Sequence, residues 1–412
     1  MSFKTYEVGI RNFILIGIVL INACQDKDPS PIVAGLPTQI RSLKLSLSPY
    51  TNSETLIANG QNFIEFWVEA FDNNNNHVYL DPSLVRVQNG KNEELTYPFR
   101  FTTTVAGKYN FKIKDYPESE ILVTAIEPIL FESTSLPVIF HYINTGSDSL
   151  SEKNKETIQK ILVKNLDSVN VAFANEAHSK DPNATDTGVR FYLADKNPEN
   201  EGLKWKGVHF VDHVKQPFLE IDISSELWDF LWNGNFWPPK KYINVWVIDA
   251  TFSKRSKLNF AFLPSLSSSI NQYPDYPYGV YFQQSNIDIG TFDILAHELG
   301  HLFNLNHVFD LTCVDPDNCS DTQNYIRDSN EVWRNYSLQK LSCSNSFFAS
   351  TNYMDYSLCD YNTFTLQQTL IIQTTLELCP FLPTKKNISE SGRSSTVKKI
   401  DFEYSSKYRI IN

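Results

Sequence analysis

The chain has 412 residues, more than twice a typical domain, which predicts two domains or one large domain with additions. Hydrophobic residues make up 42% and charged residues 20%, with 28 Phe, 20 Tyr and 7 Trp, which excludes a largely disordered chain. A formal charge of −11 argues against a nucleic-acid binder, which would present a basic face. Six cysteines are too few for a scaffold built from disulfides, and they are unevenly spread: Cys24 stands alone and the other five fall between Cys313 and Cys379.

Residues 1–23 read as a targeting segment. Lys4 and Arg11 precede an apolar run from Phe13 to Ile21. As a helix that run would rise roughly 14 Å, about half a hydrocarbon core, so it suits a signal sequence and not a membrane span. Its end, Ile21-Asn22-Ala23-Cys24, resembles the bacterial lipobox, which implies acylation of Cys24, a lipid anchor in a membrane and a location in the cell envelope. Gln25-Asp26-Lys27-Asp28 is similar to signals that carry lipoproteins to the outer membrane or cell surface. Residues 24–38, with Pro29, Pro31, Gly35 and Pro37, read as a tether. Cysteines beyond such an anchor lie in an oxidising compartment, where disulfides persist.

From about 39 to 128 the hydrophobic pattern has period two. Leu43, Leu45 and Leu47 alternate with polar residues, as do Tyr109, Phe111 and Ile113. Turn signals at Asn73–Asn76, Asn89-Gly90 and Ala106-Gly107 separate these runs, with no plausible helix between them. This predicts an all-β sandwich, which resembles the immunoglobulin-like modules of bacterial surface proteins.

The pattern changes after Pro128. Leu136–Tyr142 predicts a buried strand, and Ser149 or Ser151 can cap a helix with Ile158, Ile161, Leu162 and Leu166 on one face. Strands follow at Val189–Leu193 and Tyr242–Ile248, with a short helix around Leu227–Leu231 between them. Strands alternating with helices predict an α/β or α+β domain of catalytic size. Residues 384–412 read as a polar tail.

The chemistry is concentrated in residues 291–307. His297 and His301 are four apart, so on a helix both imidazoles reach one metal. Phe292, Leu295, Leu299 and Leu302 seat that helix in a core. Glu298 follows the first ligand and can act as general base on metal-bound water. His307 supplies a third ligand if the helix ends after Phe303 and the chain turns sharply. Asn304 is the best substitute for glycine in the left-handed conformation this requires. Three protein ligands leave a position open for water, as a catalytic Zn²⁺ needs, whereas a structural zinc would favour cysteines and no glutamate.

The spacing resembles the metzincin signature, with Asn304 in place of the usual glycine. Asn352-Tyr353-Met354-Asp355-Tyr356-Ser357 is similar to the methionine turn of the pappalysins, the family of pregnancy-associated plasma protein A. Leu136–His141, Lys241–Val247 and Phe364–Gln368 resemble further segments of that family, so the likeness spans roughly 136–383. It implies a metzincin-type zincin, with Met354 beneath the imidazoles and Tyr356 donating to the oxyanion. It also implies that Gly279–Gln283 is the edge strand along which a protein or peptide substrate binds.

In that family two disulfides hold the region containing Cys313, Cys319, Cys343 and Cys359. These four allow three pairings, and Cys379 is expected to stay unpaired. Asp315, Asp317 and Asp321 form either a Ca²⁺ site, as the resemblance implies, or a solvated acidic loop. The expectation is therefore an immunoglobulin-like sandwich followed by a zinc endopeptidase. The competing expectation is a surface adhesin or binding lipoprotein whose zincin domain is catalytically degenerate.

Overall fold

The computed structural model describes residues 40–383 except 52, 115, 145–147, 178–180, 213–234, 249–258, 262–277, 285–291, 311, 315–316, 328–338, 357–362 and 380. The expected targeting segment, Cys24, the tether, the helix around Leu227–Leu231, Asp315, Cys359 and the C-terminal tail lie outside the described residues. Among those that are described, no helix is long and apolar enough to cross a membrane.

The period-two region forms two sheets. One contains β1 (Ser42–Leu47), β3 (Ile64–Phe71), β4 (His77–Val78) and β7 (Phe99–Phe101); the other contains β2 (Thr55–Ile57), β5 (Val87–Asn89), β6 (Glu94–Leu95), β8 (Gly107–Ile113) and β9 (Tyr116–Ile126). The alternation decides what they share. Leu45, Ile64, Phe66, Phe99 and Phe101 from the first sheet meet Leu56, Val87, Phe111, Ile113 and Val123 from the second in one buried core.

Next comes a six-stranded sheet. Its centre is β10 (Thr134–Asn144), which pairs in parallel with β11 (Val189–Leu193) and β12 (Val208–Asp212) along one edge and with β13 (Ile243–Ile248) along the other. β13 pairs in parallel with β15 (Gly279–Gln283), and β14 (Phe260–Ala261) closes that side antiparallel to β15. Every residue of β13 is buried, as expected of a parallel strand covered on both faces. One face of β10, carrying Leu136, Val138, Phe140 and Tyr142, packs on α1 (Glu152–Phe173) and α2 (Phe292–Leu302). Ser151, not Ser149, caps α1, its side chain accepting from Asn154 N–H.

One expectation is corrected here. Gly279–Gln283 is not an edge strand, because both of its sides are paired, to β13 and to Phe260–Ala261. Within the described residues the edge is β14. Gly279 is glycine because a Cβ would lie 2.4 Å from the carbonyl oxygen of Asn244 in the neighbouring strand.

Small pairs of strands complete the structure: β16 (Phe309–Asp310) with β17 (Tyr325–Ile326), and β18 (Gln339–Leu341) with β19 (Phe347–Ala349). The last helix, α3 (Leu366–Leu378), opens with a capping box made by Thr365 and Gln368.

Candidate active site

The helix α2 carries His297, Glu298 and His301, and its apolar face, with Leu295, Ala296, Leu299 and Leu302, is buried in the core. It ends in a Schellman turn. Leu305 N–H donates to Gly300 O, Asn304 N–H donates to His301 O, and Asn304 has φ 70°. The left-handed asparagine expected from the spacing is thus present, and it turns the chain so that His307 faces back to the helix.

The three imidazoles meet through their Nε2 atoms, which are 3.1 Å (His297–His301), 3.1 Å (His301–His307) and 3.2 Å (His297–His307) apart. His297 Nδ1–H donates to Tyr353 O at 2.6 Å and His301 Nδ1–H donates to Leu305 O at 2.7 Å. With the proton held at Nδ1, Nε2 presents a lone pair. Burial first, then the neighbouring imidazoles, pushes His297 down to about 3 and His307 down to about 2, and burial lowers His301 as well. Neutral imidazoles whose lone pairs converge repel each other unless a cation lies between them. Their spacing is close to the roughly 3.3 Å expected when nitrogens share one tetrahedral ion at about 2.0 Å. The donor set therefore fits Zn²⁺, and these three residues are the only described group able to hold a metal.

Glu298 is 6% exposed, and burial pushes its carboxyl up to about 8. Met354 is fully buried under α2. A Cβ at Gly300 would come within 2.4 Å of its sulfur, so this glycine makes room for the methionine. The methionine turn is fastened from two sides. Met354 N–H donates to Asn352 Oδ1, and the Asn352 and Gln368 amides exchange two hydrogen bonds that tie the turn to α3. Val308 N–H donates to Met354 O, which ties the turn to the segment after His307.

Tyr356 lies with its ring 5.4 Å from that of His297 and 4.9 Å from that of His307. Beneath it is a network that no sequence pattern announced. Asp355 Oδ1 accepts from Lys340 Nζ (2.8 Å), Tyr325 OH (2.5 Å) and Tyr356 N–H (2.6 Å), and Lys340 also donates to Tyr356 O at 3.0 Å. Both members of the ion pair are buried. Burial is the main influence on Lys340 and pulls its ammonium below the usual lysine range. The Arg327 guanidinium covers the Tyr356 ring at 4.5 Å and the Phe309 ring at 5.0 Å. Neither Lys340 nor Arg327 belongs to a motif, so neither was readable without the fold.

Cys313 and Cys343 form a disulfide across the loop that follows His307. Cys319 is buried, and Cys379 is a buried free thiol, as expected for it. The two described aspartates of the acidic loop serve local donors. Asp321 accepts from Thr365 Oγ1 and Gln367 N–H at the start of α3, and Asp317 accepts from Cys319 N–H and Thr322 Oγ1.

Three histidines closed around a point with a buried glutamate beside the first are an arrangement suited to a metallopeptidase. Residues 228–377 match the model of the peptidase family described as Pregnancy-associated plasma protein-A, which supports a metallopeptidase. No curated protein matches the chain. Mature mirolysin of Tannerella forsythia, solved in complex with a cleaved peptide, is 20% identical over 59% of this chain and 92% of its own, with a TM-score of 0.43. A promirolysin mutant from the same organism is 21% identical over 60% of this chain and 80% of its own, with a TM-score of 0.44. Metalloproteinase-II from Bacteroides fragilis is 12% identical over 80% of this chain and 86% of its own, with a TM-score of 0.28. At these TM-scores the likenesses add nothing to the family match.

Proposed function

We propose that the chain is an endopeptidase in which His297, His301 and His307 hold Zn²⁺ and Glu298 is the general base. The observation that carries this reading is the triangle of Nε2 atoms, each within 3.2 Å of the others, with Nδ1 of His297 and His301 committed to backbone carbonyls. Bound zinc supplies Lewis acidity, lowering the pKa of water towards about 7 and polarising a carbonyl. Glu298 takes the proton released as water adds to the scissile carbonyl carbon, and returns it to the departing amine nitrogen. Its buried setting favours holding that proton between the two steps. Tyr356, beside the imidazoles, donates its hydroxyl proton in a hydrogen bond to the oxygen that gains negative charge. The substrate backbone adds to the sheet at the Phe260–Ala261 strand, its edge among the described residues.

The substrates in this reading are extracellular proteins, reached from a lipid anchor at Cys24, with residues 39–128 as an immunoglobulin-like module. The support for the anchor is the Ile21–Cys24 sequence. The support for the module is the pair of sheets around one core. Calcium stays outside the proposal, since Asp317 and Asp321 already accept from protein donors.

The test is casein hydrolysis by the purified chain with and without a chelator, alongside two variants. Glu298→Gln should keep its zinc and lose about 10²–10⁴-fold in rate. His301→Ala should lose zinc by atomic absorption. Hydrolysis that survives both the chelator and Glu298→Gln would refute the mechanism, and a zinc-loaded protein that cleaves nothing would favour the binding-lipoprotein alternative.

A further inference from the structure

Arg327 stands where strand β17 ends, and its N–H donates to Asp310 O at 2.9 Å, so its backbone is held by the strand that runs on from His307. Its guanidinium lies 4.5 Å over the Tyr356 ring. That ring is 4.9 Å from His307, and Phe309, also under the guanidinium, stacks on His307 at 4.6 Å. One layer of rings therefore separates a permanent positive charge from the third imidazole. An extended peptide advances about 3.3 Å per residue, which sets the guanidinium within one or two residues of a bond cleaved at the histidines.

Among the described residues the charge has no ion-pair partner. The neighbouring carboxylate, Asp355, is paired with Lys340 and also accepts from Tyr325 and Tyr356 through Oδ1. No carboxylate among the described residues forms an ion pair with Arg327, and the side chain is only half-buried. In a chain of net charge −11, Arg327 is a positive charge beside the site with no ion-pair partner among the described residues. Stacking on aromatic faces fixes the plane of a guanidinium while its N–H edge stays available, and a carboxylate fits that edge in bidentate fashion.

We infer that Arg327 is a specificity residue that receives an acidic side chain of the substrate one or two positions from the scissile bond. This rests on the peptidase reading of the site. The experiment uses the zinc-loaded full chain and fluorogenic peptides that differ only in carrying Glu, Gln or Arg at each of the two positions on either side of the bond. At one of these positions Glu should exceed both Gln and Arg by at least tenfold in kcat/KM, an advantage that shrinks with added salt. Arg327→Gln should lower the Glu peptide at least tenfold more than its Gln counterpart, and Arg327→Glu should shift the preference to Arg.

Two results would overturn the inference: no position at which the wild type favours Glu, or equal losses for all peptides in both variants. Equal losses would make Arg327 a support for Tyr356. Binding of the same labelled peptides to zinc-loaded Glu298→Gln, read by anisotropy, separates the two proposals. Absent cleavage by the wild type would defeat the peptidase reading, whereas equal affinity for Glu and Gln peptides would defeat the role of Arg327.

Discussion

At Gly300 a single hydrogen stands where any other residue would bring a Cβ to 2.4 Å from the Met354 sulfur. The methionine is fully buried between helix and turn, so neither side can yield without moving backbone that also holds His301. Gly300→Ala should gain helix propensity yet still destabilise the zinc-loaded protein, by about 1–3 kcal/mol from overpacking. Urea denaturation measures this, and a variant as stable as the wild type would show that the methionine turn has room to spare. His297, Glu298, His301 and His307 were legible as sequence, because metal chemistry demands certain residue types at a fixed spacing along one helix and one turn. The left-handed Asn304 was legible for the same reason. The role of Gly300 was not, since its constraint comes from a residue 54 positions away in the chain.

Among the elements, the methionine turn is the one whose position depends most on remote partners. Lys340, on β18, neutralises Asp355 and holds the carbonyl of Tyr356, and the Cys313–Cys343 bridge fastens the segment just after β18 to the loop beyond His307. Lys340→Met fills a similar volume but leaves a buried carboxylate without its cation. It should cost about 3–5 kcal/mol in denaturation, and the further change Asp355→Asn should restore part of that loss. If the single and double variants were equally destabilised, the pair would not be coupled. Strands and helices were readable where local pattern decides them: β10, β11, β13 and α1 with its serine cap. The pairing of Gly279–Gln283 was misread as an edge, because a strand bonded on one side and a strand bonded on both have the same apolar sequence. Only the presence of Phe260–Ala261 distinguishes them.

Across the whole molecule the central sheet is covered on both faces, and the face away from the metal site contains an ionisable group. His141 is fully buried, stacked on Trp246 at 5.6 Å, with Nε2–H donating to Asn244 Oδ1 and Nδ1 at 3.0 Å from Nδ1 of His209. Burial, reinforced by His209, pushes it down to about 3. Above pH 6.5 the imidazole is neutral in both states and its stabilising contacts are complete. As the pH falls from about 6.5 towards 3, the unfolded chain binds a proton that the folded chain refuses, and stability declines by up to about 1.4 kcal/mol per pH unit for this group. His141→Gln should flatten that decline relative to wild type in urea titrations at pH 7.5, 6.0 and 4.5; parallel declines would exclude His141 as the cause.

The junction of the two parts is likewise a property of the whole. Ile57 N–H and Asn62 Nδ2 donate to Pro182 O, and Asn62 also donates to Ala184 O, joining the two N-terminal sheets to the part that follows at positions separated by about 120 residues.

By itself the sequence determined the spacing of the three histidines, the left-handed turn and the alternation behind two sheets around one core followed by a mixed α/β part, because each depends on residues within a few turns or strands of one another. The tertiary structure alone decided that an arginine and a buried lysine stand beside the site, that a glycine yields to a methionine and that β15 lies inside its sheet. Those facts depend on distances between segments far apart in the chain, and no local pattern of residue types records them.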